Sequence, residues 1–317
     1  MEFRQGGRVV RAANHVSLSI RRCETIGIVG ESGSGKSVLC RTILRLLPSP
    51  PAFIPSGRIG FGGRDLLSLS EAEMQKVRGT EIAMIFQNPM NALNPVWPIG
   101  DQISEGERVH RKMGSRAARA RAIELLKQVG IPSPELRVDE YPHQWSGGMV
   151  QRAVIAMAIA AGPKLLLADE PTTALDVTIQ DQILALLMEL QRATGTTLVL
   201  VSHDMAVVAE TCDRVAVMYA GQIMELAPTA EIFNHPRHPY SLGLLRSIPR
   251  IDADAQRLEP IPGQPPNLSD LPPGCPFSPR CRFASSECGV AEIRLREVAP
   301  DHYSACIKSE LVAEEAS

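Results

Sequence analysis

The sequence predicts an α/β protein with a parallel-sheet core, antiparallel strand pairing near the N-terminal end, and a small cysteine-containing extension at the C-terminal end. Three observations carry that expectation. The runs Thr25-Ile26-Gly27-Ile28-Val29, Leu165-Leu166-Leu167-Ala168 and Thr197-Leu198-Val199-Leu200-Val201 are continuously apolar and bounded by turns, as strands buried on both faces are. A helical stretch over 176–194 separates the last two, which is the crossover that parallel neighbours require. The 317 residues are 44% apolar, enough for a sizeable core at roughly 150 residues per domain.

Taken in order, the first 47 residues predict a strand, a hairpin turn, a second strand and a helix. Val16, Leu18 and Ile20 alternate with serines as one face of an antiparallel strand does, and the buried run 25–29 empties into a glycine-rich loop followed by a helix over 38–47. Residues 116–129 carry Ala, Leu and Ile at helical spacing with charges between them, which predicts an amphipathic helix. A second helix over 151–161 is closed by Gly162-Pro163. Beyond Gly243 the composition changes: residues 247–274 hold seven of the 25 prolines and predict an irregular, extended link to the tail.

The charge balance, Lys+Arg 33 against Asp+Glu 35, gives no electrostatic reason to expect nucleic acid, and 4% aromatic residues provide no stacking platform for single strands. The longest apolar stretch, 153–161, is far shorter than the roughly 18 residues of a membrane span. The first residues carry no apolar signal region, so a cytoplasmic location is expected.

The chemistry concentrates in two motifs. Gly30-Glu31-Ser32-Gly33-Ser34-Gly35-Lys36-Ser37 fits G-x-x-x-x-G-K-[ST] after a strand and before a helix that opens at Val38. Glycines let backbone N–H groups converge on phosphates, the helix N-terminus adds positive potential, Lys36 reaches the β and γ phosphates, and Ser37 holds Mg2+. The strand 165–168 runs into Asp169 and Glu170; the first carboxylate is placed to support Mg2+, the second to accept a proton from an attacking water.

Between these halves, Trp145-Ser146-Gly147-Gly148-Met149-Val150-Gln151-Arg152 resembles the signature sequence of ATP-binding cassette (ABC) proteins. Gln87 after strand 82–86 resembles the Q-loop glutamine, Ala174-Leu175-Asp176 looks like the D-loop, and His203 is placed like the switch histidine. This resemblance implies a P-loop ATPase with a RecA-like parallel-sheet core, an antiparallel β subdomain and a helical signature subdomain, and a head-to-tail ATPase dimer. Ser146, Gly147, Gly148 and Met149, with Asp176, would face the partner's ATP. Glu170 is then the general base, Gln87 a ligand or sensor for Mg2+ and water, and His203 the γ-phosphate contact. Relatives stack an aromatic residue on adenine after a complete first strand; Phe3 stands in that place, preceded by Met1 and Glu2. Cys23 occupies a turn where relatives carry glycine, so a left-handed backbone there would carry a strain of about a kilocalorie per mole.

Over its whole length the chain resembles the ATP-binding subunits of bacterial dipeptide and oligopeptide importers. Ile85-Phe86-Gln87-Asn88-Pro89, Leu93-Asn94-Pro95, Asp169 to Thr178, His238-Pro239-Tyr240 and Gly274-Cys275-Pro276-Phe277-Ser278-Pro279-Arg280-Cys281 carry that likeness. It implies an ATPase body over 1–227, its helical subdomain at about 88–162, and a subfamily extension over 228–317. It also implies a second, related ATPase chain as partner (a homodimer being the alternative), two transmembrane permeases that dock near 88–103, an external substrate-binding protein, and peripheral attachment at the cytoplasmic face of the bacterial inner membrane. Peptides are the expected cargo, with nickel chelates and glutathione as alternatives.

Cys275, Cys281, Cys288 and Cys306 are spaced C-x5-C-x6-C-x17-C. In related subunits such cysteines hold a [4Fe-4S] cluster, Zn2+ being the alternative and free thiols a third reading. Cys23, Cys40 and Cys212 are isolated and expected to fill space as small apolar groups. A cassette ATPase acting on nucleic acid is a rival reading, but residues 228–317 hold nine basic and twelve acidic residues, net −3, where a phosphate-binding tail should be basic.

Overall fold

A computed structural model describes residues 1–173, 175–248 and 260–316. The chain divides into two compact units, Met1–Ile20 with Glu24–Ile59 and Leu200–Ser317, and Arg21–Cys23 with Gly60–Val199.

The first unit opens on a hairpin. Glu2–Gln5 pairs antiparallel with Arg8–Val10 across Gly6 and Gly7, both left-handed, and pairs on its other side with Ala52–Phe53. The first strand is thus short but paired on both edges, with Phe3 opposite Val10 and Ala52. Thr25–Val29 is buried at all five positions and runs parallel to Arg214–Tyr219. A Cβ on Gly27 would stand 2.6 Å from Val208 Cγ1, so glycine lets the helix Met205–Thr211 lie close against this strand. Arg214–Tyr219 turns antiparallel into Gln222–Pro228, which pairs with His302–Ser304, which in turn pairs with Arg296–Ala299. The C-terminal segment therefore extends the same sheet.

A buried polar knot fixes that extension. Glu225, fully buried, accepts from the backbone N–H of Arg237 at 2.6 Å and of His238 at 3.0 Å, and its Oε1 lies 2.7 Å from His302 Nε2. His238 then caps the helix Pro239–Arg246, its Nδ1 accepting from the Tyr240 N–H at 3.1 Å. Burial pushes the His238 pKa down to about 3, which keeps the ring a neutral acceptor.

In the second unit, Ile82–Ile85 runs parallel to Leu165–Asp169, Ile82 beside Leu165 and Ile85 beside Ala168. Thr197–Ser202, of which 197–199 belong to this unit, flanks Leu165–Asp169 on its other side, and the helix Val177–Thr194 makes the crossover between them. Helices Ile99–Arg111, Ser115–Gln128 and Gly147–Ile159 pack together through Ile99, Ile103, Ala122, Leu125, Leu126 and Val154, each buried. Burying an Ile, Leu or Val side chain of this set contributes roughly 1.5–3 kcal/mol.

Several expectations shift. Residues 16–20 alternate half-buried and exposed as the sequence implies, yet they form no strand. Alternation specifies which side chains face inward and leaves open whether a neighbouring ladder exists. The helix after the glycine loop is Lys36–Ile43, two residues earlier than expected and shorter, ending before Arg45, which is left-handed at φ 52°. The helix expected over 151–161 is Gly147–Ile159. The expected linker is without helix or strand over 260–274, while 249–259 lie outside the described residues. Cys40 and Cys212 are buried, but Cys23 is exposed and corrects the space-filling expectation for it. It sits at φ 62°, held by its N–H to Thr197 Oγ1 and its carbonyl to Gln191 Nε2. Among the described residues no helix is long and apolar enough to cross a membrane.

Candidate nucleotide-binding and hydrolysis residues

In the first unit, residues 30–37 form a loop on which the glycines are dictated by space as well as by backbone. Gly30 and Gly35 adopt φ 151° and 104°, and a Cβ on either would lie 2.1 Å from a carbonyl oxygen, that of Met218 or of Ala12. Gly33, at φ 80°, has no atom beyond its chain neighbours within 4 Å of where its Cβ would be. Lys36, 5% exposed, folds back across the loop and donates from Nζ to the carbonyls of Gly30 at 2.7 Å and Glu31 at 2.9 Å, and to Ser34 Oγ at 3.4 Å. Helix Lys36–Ile43 starts on Gly35 with no side-chain cap. A helix end without a capping oxygen, a lysine ammonium and an uncluttered glycine fit a polyanion such as ATP with Mg2+. Ser34 is buried, Ser37 and Val38 are half-buried, and Ser32 is exposed.

In the second unit, Asp169 ends its strand fully buried, and Glu170 follows half-buried. Glu170 is left-handed at φ 47°, a conformation that costs a non-glycine residue about 1–2 kcal/mol. Its Oε2 accepts from Gln87 Nε2 at 2.9 Å and from Thr173 Oγ1 at 2.9 Å. Gln87 and Glu170, expected from separate motifs, therefore meet directly. Thr173, within the run Asp169 to Thr178, belongs to none of the motifs and joins the site only through this contact.

The signature helix Gly147–Ile159 begins at Ser146, whose side chain accepts from the Met149 N–H at 3.4 Å. Ser146 and Gly147 are exposed, with Gly148 and Met149 half-buried. A Cβ on Gly148 would approach Ile179 Cγ2 to 2.9 Å, so glycine there serves packing against the helix Val177–Thr194 as well as backbone access. Trp145 is buried and donates from Nε1 to Glu140 Oε2 at 2.7 Å. Asp176 is exposed at the N-cap of the next helix, and Ala174 lies outside the described residues. His203 is exposed after Ser202 in the first unit, and Phe3 is half-buried in its hairpin.

The ABC transporter family model matches residues 13–173, just over half of the chain. The chain belongs to the ABC transporter family. A second model, the oligopeptide/dipeptide transporter C-terminal region, matches residues 224–288 of this ABC protein. It is 51% identical over 304 residues, 96% of the chain and 85% of the relative, to the oligopeptide transport ATP-binding protein OppD of Bacillus subtilis (strain 168). It is 49% identical to the dipeptide transport ATP-binding protein DppD of Escherichia coli (strain K12), over 93% of the chain and 90% of the relative. Among solved structures, the ATP-binding cassette MJ0796, in a dimeric post-hydrolysis state bound to ADP and Pi, matches with a TM-score of 0.64 at 29% identity over 72% of the chain and 95% of that chain. CbiO1 from Clostridium perfringens, part of the transporter complex cbiONQ, matches at 0.61 and 32% identity over 70% of the chain and 84% of its own. The fold is that of an ABC ATPase cassette, and the chain is an ATPase.

In this ABC protein the four tail cysteines line one pocket with Phe277 and Phe283. Among the described residues, however, no group of three or more His, Cys, Asp or Glu side chains is disposed to hold a metal ion. Burial pushes the Cys275 thiol up to about 11 and that of Cys306 up to about 12, and raises Cys281 as well. Burial thus favours the thiol over the thiolate at Cys275, Cys281 and Cys306, and a cation binding there displaces thiol protons.

Proposed function

We propose that this chain is the ATP-hydrolysing subunit of a bacterial importer of di- or oligopeptides. The observation that carries the reading is the co-occurrence, in one chain, of the complete set of cassette motifs and a tail matching the oligopeptide/dipeptide transporter region. Residues 1–227 act as the ATPase body and 228–317 as the subfamily extension.

In this reading Gly30, Ser32, Gly33, Ser34, Gly35 and Lys36 hold the phosphates, with Val38 beside them and Phe3 against adenine. Ser37, Gln87 and Asp169 hold Mg2+, which neutralises charge on the phosphates when bound. Glu170 takes the proton of the attacking water, Gln87 orients that water through its bond to Glu170, and His203 contacts the γ phosphate. Ser146, Gly147, Gly148 and Met149, with Asp176, serve the ATP of a second, related cassette chain. Two such chains close on nucleotide and reopen after hydrolysis, driving two permeases supplied by an external binding protein. The protein works as a peripheral subunit at the cytoplasmic face of the inner membrane.

The decisive experiment is reconstitution with two permeases, a second cassette and a binding protein in vesicles. MgATP-dependent uptake of labelled peptides is the expected result. Uptake of a nickel chelate or glutathione without peptide would reject the cargo, and tight, salt-dependent binding to duplex DNA in place of transport would reject the importer.

For the tail, four thiols line one pocket, and thiolates are the ligands of [4Fe-4S] clusters; although no three of them are grouped to hold a metal ion here, we extend the proposal to that group. Anaerobically purified protein should then be brown, with broad visible absorption lost on iron chelation. Colourless protein containing stoichiometric zinc would overturn it.

A further inference from the structure

Glu31 is the first residue after Gly30 in the phosphate-binding loop, and it is gripped at three chemically distinct points. Its backbone N–H donates to the Tyr240 hydroxyl at 2.8 Å, its carbonyl accepts from Lys36 Nζ at 2.9 Å, and its carboxylate receives both terminal nitrogens of Arg280, at 2.6 and 3.0 Å. Two of these three partners come from beyond residue 227, and Arg280 lies 249 positions from Glu31 in the sequence.

Arg280 is itself fixed. Its side chain is 6% exposed; Nε donates to the Pro262 carbonyl at 2.8 Å, and the terminal nitrogens reach the Ile261 carbonyl at 3.4 Å and the Tyr219 hydroxyl at 3.3 Å. The guanidinium lies 6.0 Å from the centre of the Phe277 ring, which packs on Tyr219 and Tyr240 at 5.3 Å from each. A forked, charge-assisted pair with its remaining donors satisfied defines one geometry, which a surface ion pair does not.

A carboxylate in a loop built to receive a polyanion opposes its own ligand unless a cation offsets it. We infer that Arg280 is a positioning residue of the nucleotide site: it neutralises and orients Glu31, so that ATP affinity depends on a side chain supplied by the C-terminal extension. This rests on the ATPase reading above and adds to it a requirement that the cassette motifs do not contain. Arg280 touches Glu31 and leaves the phosphates to the loop and Lys36, so its loss should weaken binding while leaving the chemical step largely intact.

The test uses the full chain and titration with MgATP, with Arg280→Ala, Arg280→Lys, Glu31→Gln and the Arg280→Ala/Glu31→Gln double variant compared at low and high salt. Arg280→Ala should bind MgATP about tenfold or more weakly, the loss expected for a charged hydrogen-bonded pair. Arg280→Lys, which keeps the charge and loses the fork, should fall between. The double variant should recover most of the affinity, because the uncompensated carboxylate has been removed with its partner. In the assembled transporter Arg280→Ala should raise KM with kcat changed less than about threefold. Wild-type affinity in Arg280→Ala would overturn the inference. So would a double variant as weak as Arg280→Ala, since Arg280 would then act through packing alone. Absence of saturable MgATP binding by the wild-type chain would instead sink the ATPase reading, and this inference with it.

Discussion

Replacing Glu170 with glutamine should lower ATP turnover by the assembled transporter by a factor of about 10² to 10⁴, the range over which a positioned general base accelerates proton transfer. Binding of MgATP should survive. The amide keeps the size of the carboxylate and can still accept from Gln87 and Thr173, both 2.9 Å from Oε2, but it cannot take a proton from water. The backbone control is built in: Glu170 is held at φ 47°, and glutamine finds that conformation as unfavourable as glutamate does, so the change leaves backbone strain where it was. Measured kcat with saturating MgATP decides the matter. Turnover within about threefold of wild type would remove Glu170 from the role of base and leave Gln87 orienting a water that some other group deprotonates.

A second large effect concerns stability. Glu225→Ala should destabilise the first unit by about 3–5 kcal/mol, because each buried polar group left without its acceptor costs about 1–3 kcal/mol. The fully buried carboxylate serves the N–H groups of Arg237 and His238 and stands 2.7 Å from His302, so alanine would strand all three polar groups out of water. Glu225→Gln keeps one acceptor oxygen and should cost less, about 1–3 kcal/mol. Urea unfolding followed by circular dichroism gives the comparison. An alanine variant within about 1 kcal/mol of wild type would mean that the segment after Pro228 is seated by other contacts.

The parts of the fold legible in the sequence are those whose physics is local. Thr25–Val29 and Leu165–Asp169 are continuous apolar runs, and they are buried throughout as such runs should be. The glycine loop was legible because Gly30 and Gly35 answer to constraints that any phosphate loop shares, although the carbonyls of Met218 and Ala12 that exclude a side chain there could not be named. Residues 16–20 show the limit: their half-buried, half-exposed alternation is real, but a ladder needs a partner strand that periodicity cannot supply. At the site, Gln87 and Glu170 were legible singly, and their 2.9 Å contact was not, because it joins positions 83 residues apart. The left-handed backbone of Glu170 leaves no trace in residue type, since glutamate is a poor choice for it. Tyr240 and Arg280 stood inside quoted motifs of the extension, yet nothing in the spacing of His238-Pro239-Tyr240 or Pro279-Arg280-Cys281 points back to Glu31.

The pairing of His302–Ser304 with Gln222–Pro228 has a consequence for how the polypeptide can be shortened. Ser304 lies opposite Glu225 and Tyr303 opposite Leu226, so the last strand of the body is an interior strand. A protein cut after residue 227 would present that strand as a bare rim of unsatisfied amides and carbonyls, flanked by the buried Ile223, Met224 and Leu226. Such a rim recruits strands from other molecules. The extension thus acts as a selvedge, finishing the weave of the sheet so that chains waiting for their membrane partners do not knit to one another.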